Sequence, residues 1–167
     1  FGGAQEKAIR PGTENVAGII GMARALQIAQ RDRKSETARL LPLRDALVHG
    51  IQSSIAKTRL NGHRRQRLPN NVNISFMDIE GEALILYLDE AGIYTSTGSA
   101  CTSVSLDPSH VILSLGLPYE VAHGSIRFTL GRSTTQEDIN YVIKTLPPLV
   151  EKLRKLSPVK VDPKYFQ

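Results

Sequence analysis

The sequence predicts an α+β domain in which helices pack on a short antiparallel sheet. Three observations carry this prediction. Apolar residues recur at helical spacing over several long stretches, three short segments alternate apolar and polar residues, and turn-forming Gly, Pro and Asn separate these patterns. Helical patterns cover more of the chain than strand patterns do, so the sheet is expected to be small.

The first third of the chain predicts helix. Pro11-Gly12 supplies a turn, and either Thr13 or Asn15 can cap the helix that follows. Apolar positions from Val16 to Ile55 keep near-helical spacing, which predicts two helices or one long bent helix. Pro42 marks the bend unless it lies in the first turn of a second helix.

The remaining elements are short except for the last helix. Strand patterns fill three segments, 72–76, 93–96 and 125–130. Short helical patterns fill 82–90, 111–115 and 118–123. Thr134-Thr135-Gln136-Glu137 resembles a capping box, and it opens a long closing helix that contains Pro147-Pro148. The third strand places Arg127 on its polar face.

Composition restricts the class of protein. With 41% apolar residues, 22% charged residues and no apolar run of the ~18 residues that a bilayer requires, the chain is expected to be soluble and globular. Its single cysteine, Cys101, excludes an internal disulfide and a cysteine-rich metal site, and no metal site is predicted. A reducing compartment is expected, either the cytoplasm or, in a eukaryote, an organelle matrix.

Part of the formal charge of +5 comes from two basic stretches, 31–39 and 63–67. The first lies on a predicted helix and is interpreted as a solvated face. The second, His63-Arg64-Arg65-Gln66-Arg67, lies in a predicted loop. A solvated surface is its simpler interpretation, and a patch for an acidic partner or a nucleic acid is the alternative. No aromatic residues interleave with it, so a stacking platform for single strands has no support and direct nucleic-acid binding is not expected.

Cys101 lies at the centre of Ser96-Thr97-Gly98-Ser99-Ala100-Cys101-Thr102-Ser103, a run of small and hydroxylated residues. A structural cysteine normally has apolar neighbours, whereas a reactive cysteine needs solvent access and a stabilised thiolate. The residues alone leave both interpretations open. His110 and His123 follow in sequence and suggest a Cys/His pair, but both are interpreted as ordinary surface or helix residues.

Six short strings follow one another along nearly the whole chain. They are Gly-Gly-Ala-Gln-Glu at 2–6, Arg-Pro-Gly-Thr-Glu-Asn at 10–15, Leu-Pro-Asn at 68–70, the cysteine run at 96–103, Leu-Asp-Pro-Ser-His at 106–110 and Ser-Ile-Arg-Phe-Thr-Leu-Gly-Arg at 125–132. In this order the strings resemble those of the cysteine desulfurases of the NifS/IscS type, a class-V-aminotransferase-like branch of the fold-type I pyridoxal-phosphate enzymes. The resemblance implies the small C-terminal domain of such an enzyme.

The resemblance implies a reaction that takes sulfur from L-cysteine with pyridoxal 5'-phosphate as cofactor. It gives L-alanine and a persulfide on Cys101, for iron–sulfur cluster assembly or tRNA thiolation. Arg127 matches the residue that holds the substrate carboxylate, a task suited to the two-pronged guanidinium. Thr13 matches the residue that hydrogen-bonds the cofactor phosphate of the other subunit in a homodimer. Pro11 and Ala4 stand where the family more often has Ser and Gly.

The family's cofactor-binding lysine lies in a segment that would precede Gly2, and none of the lysines in this sequence has that setting. Residues 1–33 are therefore expected to be the tail of the cofactor domain and residues 34–167 the small domain with the cysteine loop. Three interpretations stay open. The chain is a portion of a longer desulfurase, a subunit of a split enzyme, or a standalone sulfur-relay or scaffold-binding module without pyridoxal chemistry.

The partners that the resemblance implies are L-cysteine, a second copy of the chain, and an iron–sulfur scaffold protein or another sulfur acceptor. The tail 153–167 resembles the family segment that helps to dock the scaffold. Cys101 is a candidate transient ligand of a cluster in transit. No membrane partner is expected.

Overall fold

The computed structural model describes residues 2–98, 107–158 and 160–165. The chain divides into two compact units, Phe1–Glu36 and Thr37–Gln167. The first unit contains a 3-10 turn, Gln5–Ala8, and the beginning of helix α1 (Val16–Ser54). The second unit contains the end of α1 and the elements that follow it.

One uninterrupted helix, α1, occupies the stretch for which the sequence left two helices or one long helix open. Asn15 rather than Thr13 caps it, because Asn15 Oδ1 accepts a hydrogen bond from the N–H of Gly18 at 2.9 Å. Pro42 lies inside the helix, where it has no N–H to donate to the preceding turn. In the first unit α1 exposes a set of apolar side chains, Val16, Ile19, Ile20, Met22 and Leu26.

The described part of the chain forms one sheet of three antiparallel strands in the order β1 (Thr58–Leu60), β2 (Asn71–Phe76) and β3 (Ser125–Thr129). The central strand β2 buries Val72, Ile74 and Phe76 completely, because alternate side chains of a strand point to the same face. The register pairs Asn73 with Arg127. The strands predicted at 72–76 and 125–130 are thus confirmed.

Helices pack against this sheet, as the predicted α+β class requires. They are α2 (Gly81–Glu90), α3 (His110–Leu113), α4 (Tyr119–His123) and α5 (Gln136–Leu156), followed by a 3-10 turn at Pro163–Tyr165. The main core combines apolar residues of α1, α2, α5 and the sheet, among them Leu47, Ile51, Ile74, Leu84 and Leu146. No helix of the described ranges is both long and apolar enough to span a bilayer.

A smaller apolar cluster holds α3, α4 and the tail of the chain together, and consists of Met77, Ile112, Leu117, Val121, Ala122 and Val161. Asp78, which is 3% exposed, ties the tail to this cluster. Its Oδ1 accepts the N–H of Val161 and its Oδ2 accepts the Nζ of Lys57, both at 2.8 Å. Burial acts to raise the pKa of Asp78, but these hydrogen bonds and the charge of Lys57 outweigh burial and hold the pKa below its usual value.

Two sequence predictions differ from the structure, and one strand, β1, was not predicted. Residues 93–96 do not form a strand, because only Ser96 pairs, in an isolated bridge with Arg127. Gly92, at a φ of 75°, turns the chain just before this segment, and the N–H of Ile93 donates to the carbonyl of Leu88 in α2 rather than to a strand. Strand β1 has no alternation signal, since three residues are too few to show one. The capping box of α5 lies one residue later than predicted, with Thr135 and Asp138 as its two members.

Candidate functional site

Strand β3 presents Arg127 to solvent between the buried side chains of Ile126 and Phe128. The backbone of Arg127 is fixed on both sides. Its N–H donates to the carbonyl of Ser96 at 2.7 Å, its carbonyl accepts the N–H of Ser96 at 3.2 Å, and Asn73 lies opposite it on β2. The guanidinium forms no hydrogen bond or ion pair with any residue that the structure describes. A well-placed cation is therefore available to an anion.

Arg127 lines a cleft of about 640 Å³, which we call the Arg127 cleft. Its described lining comes from the loop 61–71, from β2 and β3, and from the start of α3, and includes Asn61, Arg67, Asn73, His110 and Ile112. This lining contains two arginines and no carboxylate. The cleft therefore favours a negatively charged ligand.

The buried amide of Asn61 organises the polar floor of the Arg127 cleft. Its Nδ2 donates to Asn73 Oδ1 at 2.7 Å and to Ser75 Oγ at 2.8 Å. Arg67 Nε donates to the carbonyl of Asn71 at 3.2 Å. Asn61 Oδ1 and Arg67 Nη1 are buried and have no partner among the described residues. Because buried polar atoms are normally satisfied, these two atoms are suited to hold a ligand or an ordered water.

Cys101 lies outside the described residues, but both ends of the segment that contains it lie at the Arg127 cleft. Thr97 and Gly98 line the cleft before the segment, and Ser109 lines it after the segment. The two ends are neighbours, because a Cβ added to Gly98 would lie 3.5 Å from the backbone nitrogen of Ser109. Described residues on both sides of the segment thus lie at the Arg127 cleft.

The loop that carries Thr13 belongs to the first unit and is held by Arg10 and Gln5. The guanidinium of Arg10 donates to the carbonyl of Gly12 at 2.9 Å and to a carboxylate oxygen of Glu14 at 3.3 Å. The N–H of Gly12, whose φ of 98° favours glycine, donates to Gln5 Oε1 at 3.1 Å. The exposed Thr13 side chain has no hydrogen-bond partner among the described residues. Its hydroxyl is free to bind an external group.

The structure adds two residues that the sequence analysis did not connect with Arg127. Asn61 and Arg67 line the Arg127 cleft, yet no local signal marks them, because their proximity to Arg127 joins segments distant in the chain. His110 lines the cleft. His123 is not among the described lining, and its Nδ1 lies 3.3 Å from Glu82 Oε2.

A metal centre is not formed by the residues that the structure describes. No group of three or more His, Cys, Asp or Glu side chains within 2–98, 107–158 and 160–165 is arranged to hold an ion.

Known proteins resemble this chain over nearly its full length. The cysteine desulfurase IscS of Clostridium botulinum (strain Hall) is 51% identical over 163 residues, covering 96% of this chain and 41% of that protein. The cysteine desulfurase IscS of Dictyoglomus turgidum is 52% identical over 161 residues, with 96% and 41% covered. A solved NifS-like protein superposes with a TM-score of 0.76 at 32% identity, covering 91% of this chain and 38% of that one.

The chain spans about two fifths of the length of the curated relatives that it matches. The solved NifS-like protein has the same α+β arrangement over this region, which confirms the predicted fold class. The family model for class-V aminotransferases matches residues 3–142, which is most of the chain. The chain therefore belongs to the class-V aminotransferase family.

Proposed function

We propose that the complete protein is a pyridoxal-phosphate-dependent cysteine desulfurase, and that this chain supplies its substrate-carboxylate site and its sulfur-carrying cysteine. The observation that carries the proposal is that both ends of the segment containing Cys101 lie at the cleft lined by Arg127. The described residues on either side of that segment line the same cleft as Arg127, a cation with no described partner. Such a cation is suited to an amino-acid carboxylate.

We assign the binding of the substrate carboxylate to Arg127. Its planar guanidinium can donate two parallel hydrogen bonds to a carboxylate, which fixes the orientation of the substrate as well as its position. The backbone of Arg127 is bonded to Ser96 and faces Asn73, so the side chain starts from a rigid point. A rigid starting point limits the freedom that the substrate must lose before reaction.

We assign Thr13 to the phosphate of the cofactor. The residues present fit that group, because the hydroxyl of Thr13 has no partner among the described residues and the hydrogen bond from Arg10 to the carbonyl of Gly12 fixes the adjacent backbone. In the proposed homodimer Thr13 serves the site of the partner subunit. When bound, pyridoxal phosphate supplies the electron sink that makes the carbon–sulfur bond of the substrate cleavable.

We assign the sulfur transfer to Cys101. Its thiolate attacks the sulfur of L-cysteine, so a sulfur–sulfur bond forms while the carbon–sulfur bond breaks and its electron pair stays with the carbon side. Protonation of that carbon gives L-alanine, and the enzyme keeps the sulfur as a persulfide. Arg127 holds the carboxylate of the amino acid throughout, which keeps its sulfur within reach of the thiolate.

The domain assignment follows from the same proposal. Residues 1–33 form the tail of the cofactor domain, and residues 34–167 form the small domain with the cysteine loop. The sulfur acceptor is an iron–sulfur scaffold protein or a carrier for tRNA thiolation, and Cys101 is a transient cluster ligand in the first case. The tail 153–167 contributes to docking that acceptor, in the cytoplasm or in an organelle matrix.

Substitutions in the complete protein test these roles. We expect Cys101→Ala to abolish persulfide formation, measured as the mass of one added sulfur atom, while the cofactor absorbance stays unchanged. We expect Arg127→Ala to raise the L-cysteine concentration needed for half-maximal alanine release about 30-fold, because charge-assisted hydrogen bonds to the carboxylate are lost. Lys144→Ala, which removes an exposed cation on α5, is the matched control and should change neither quantity.

The alternatives give different results in the same assays. An unchanged dependence on L-cysteine in Arg127→Ala would refute the carboxylate role. A persulfide on Cys101 that forms from a persulfide donor, with no alanine released under any condition, would identify a sulfur-relay module. A partner polypeptide that restores alanine release would identify a split enzyme.

A further inference from the structure

A second cleft, of about 340 Å³, lies between α1 and the loop that follows β1. Its described lining consists of Arg44, Asp45, Val48, His49, Leu60, Arg64 and Arg65, and we call it the basic cleft. Three of these residues are arginines and one is a carboxylate. The basic cleft therefore concentrates positive charge in a concave part of the surface.

The carboxylate of the basic cleft is already engaged. Arg44, which is buried, donates to Asp45 Oδ1 from Nε at 2.9 Å and from Nη2 at 2.7 Å. The exposed side chains of Arg64 and Arg65 form no hydrogen bond or ion pair with any described residue. Two cations of the cleft therefore remain available to an external anion.

Arg67 adds to this field from the adjoining Arg127 cleft. Its pKa is lowered first by burial and then by the positive charge of Arg44, while Asp45 acts in the opposite direction. The positive charges of Arg44 and Arg67 therefore act on each other. Arg67 thus adds positive charge next to the three arginines that line the basic cleft, which favours an anion there.

The loop that carries these arginines has a defined shape before any partner binds. His63 Nδ1 accepts the N–H of Arg65 at 3.1 Å and the N–H of Gln66 at 2.9 Å. Arg44 Nη1 donates to the carbonyl of Leu68 at 3.5 Å, which joins the loop to α1. A loop already held by such bonds loses little backbone freedom on binding, so more of the contact free energy remains for affinity.

We propose that the basic cleft binds an acidic segment of a partner protein, with carboxylates of that segment pairing with Arg64 and Arg65. A cleft of about 340 Å³ accommodates one or two carboxylate side chains. Its described lining has no Phe, Tyr or Trp ring on which a nucleic-acid base could stack, which favours a protein over a single strand. The inference goes beyond the proposed function, because the cleft acts as a docking surface whether or not the complete protein transfers sulfur.

A labelled peptide of six glutamates, blocked at both ends, is the probe. Its binding to the full chain is measured by fluorescence anisotropy at low ionic strength, with a peptide of six glutamines as the uncharged reference. We expect the double variant Arg64→Gln/Arg65→Gln to weaken binding about tenfold, through the loss of two charge-assisted contacts. The double variant Arg33→Gln/Lys34→Gln removes the same charge from exposed positions of α1 and should weaken it less than twofold.

A third variant changes the affinity in the opposite direction. Asp45→Asn removes the carboxylate that lines the basic cleft, so we expect the glutamate peptide to bind about threefold more tightly. Equal weakening by the two double variants would overturn the proposal, because the binding would then follow net charge alone. Tighter binding of a six-nucleotide RNA than of the glutamate peptide would overturn it in favour of a nucleic-acid surface. Circular dichroism checks that each variant keeps its fold.

Discussion

Replacing Asp78 by Asn isolates the charge that fastens the tail of the chain to the cluster under α3 and α4. The carboxylate is buried and accepts hydrogen bonds from Lys57 Nζ and from the N–H of Val161. Asp78 has a φ of 65°, a conformation that Asn adopts as readily as Asp does. The amide oxygen of Asn can still accept the N–H of Val161. The substitution therefore removes the charge and keeps the shape.

The expected loss in the free energy of unfolding follows from the contacts of Asp78 with Lys57 and with Val161. The Lys57 side chain is 44% exposed, so its ion pair with Asp78 is partly screened and contributes about 1 kcal/mol. The hydrogen bond that the N–H of Val161 donates changes from charge-assisted to neutral. A neutral bond is about half as strong, so the free energy of unfolding falls by a further 0.5 kcal/mol or so. We expect Asp78→Asn to lower the free energy of unfolding by about 1.5 kcal/mol, or the Tm by about 5 °C in a domain of this size.

The pH dependence provides the second test. Because the folded pKa of Asp78 is lowered, its contribution is complete above the ordinary aspartate pKa of about 3.9 and is lost as the pH falls through the lowered folded value. Urea unfolding of the wild type and Asp78→Asn should thus differ by a constant amount near neutral pH and converge in acid. Equal stabilities at pH 7, or a difference that does not shrink as the pH falls below the ordinary aspartate pKa, would show that the charge does not fasten the tail.

Three further substitutions test the packing, each by chemical unfolding. Gly124→Ala should lower the free energy of unfolding by at least 2 kcal/mol or so, because the new Cβ would collide with the carbonyl oxygen of Phe76. Its control, Gly21→Ala, has nothing within 4 Å of the new Cβ and should raise the free energy of unfolding by about 1 kcal/mol through helix propensity. Thr135→Ala removes the cap of α5 and should cost about 1 kcal/mol, with Thr135→Ser restoring most of it. Leu146→Ala opens a cavity in the core and should cost about 3 kcal/mol; a loss below 1 kcal/mol would contradict the packing.

Periodicity predicted the elements that are long or that alternate clearly. Strand β2 alternates buried and half-buried residues over most of its length, and α5 carries an apolar stripe and a capping box at its start. Periodicity could not predict strand β1, because three residues are too few to show an alternation of apolar and polar side chains. Tertiary contacts decide its pairing with β2. The strand predicted at 93–96 is present only as a single bridge, in which Ser96 pairs with Arg127.

The candidate site was predictable only in part, and for a similar reason. Arg127, Thr13 and Cys101 were identified through a family resemblance, and their roles stay predictions. Asn61 and Arg67 carry no such mark, since their place in the Arg127 cleft results from β1–β2 pairing and from the path of the loop between those strands. A sequence pattern reports spacing along the chain, whereas a cleft is made by residues that are far apart along it.

The loop between β1 and β2 separates the two clefts and gives each of them different side chains. Asn61 and Arg67 line the Arg127 cleft, whereas Arg64 and Arg65 line the basic cleft. Because the loop is held by His63 and by its bond to Arg44, substitutions at Arg64 and Arg65 can alter the charge of one cleft while the other keeps its geometry. In the roles proposed for the two clefts, partner choice and ligand binding can therefore change independently within one short segment. If instead Arg64→Gln/Arg65→Gln changed the dependence on L-cysteine as strongly as it changed peptide binding, the two clefts would have to be coupled through Arg67.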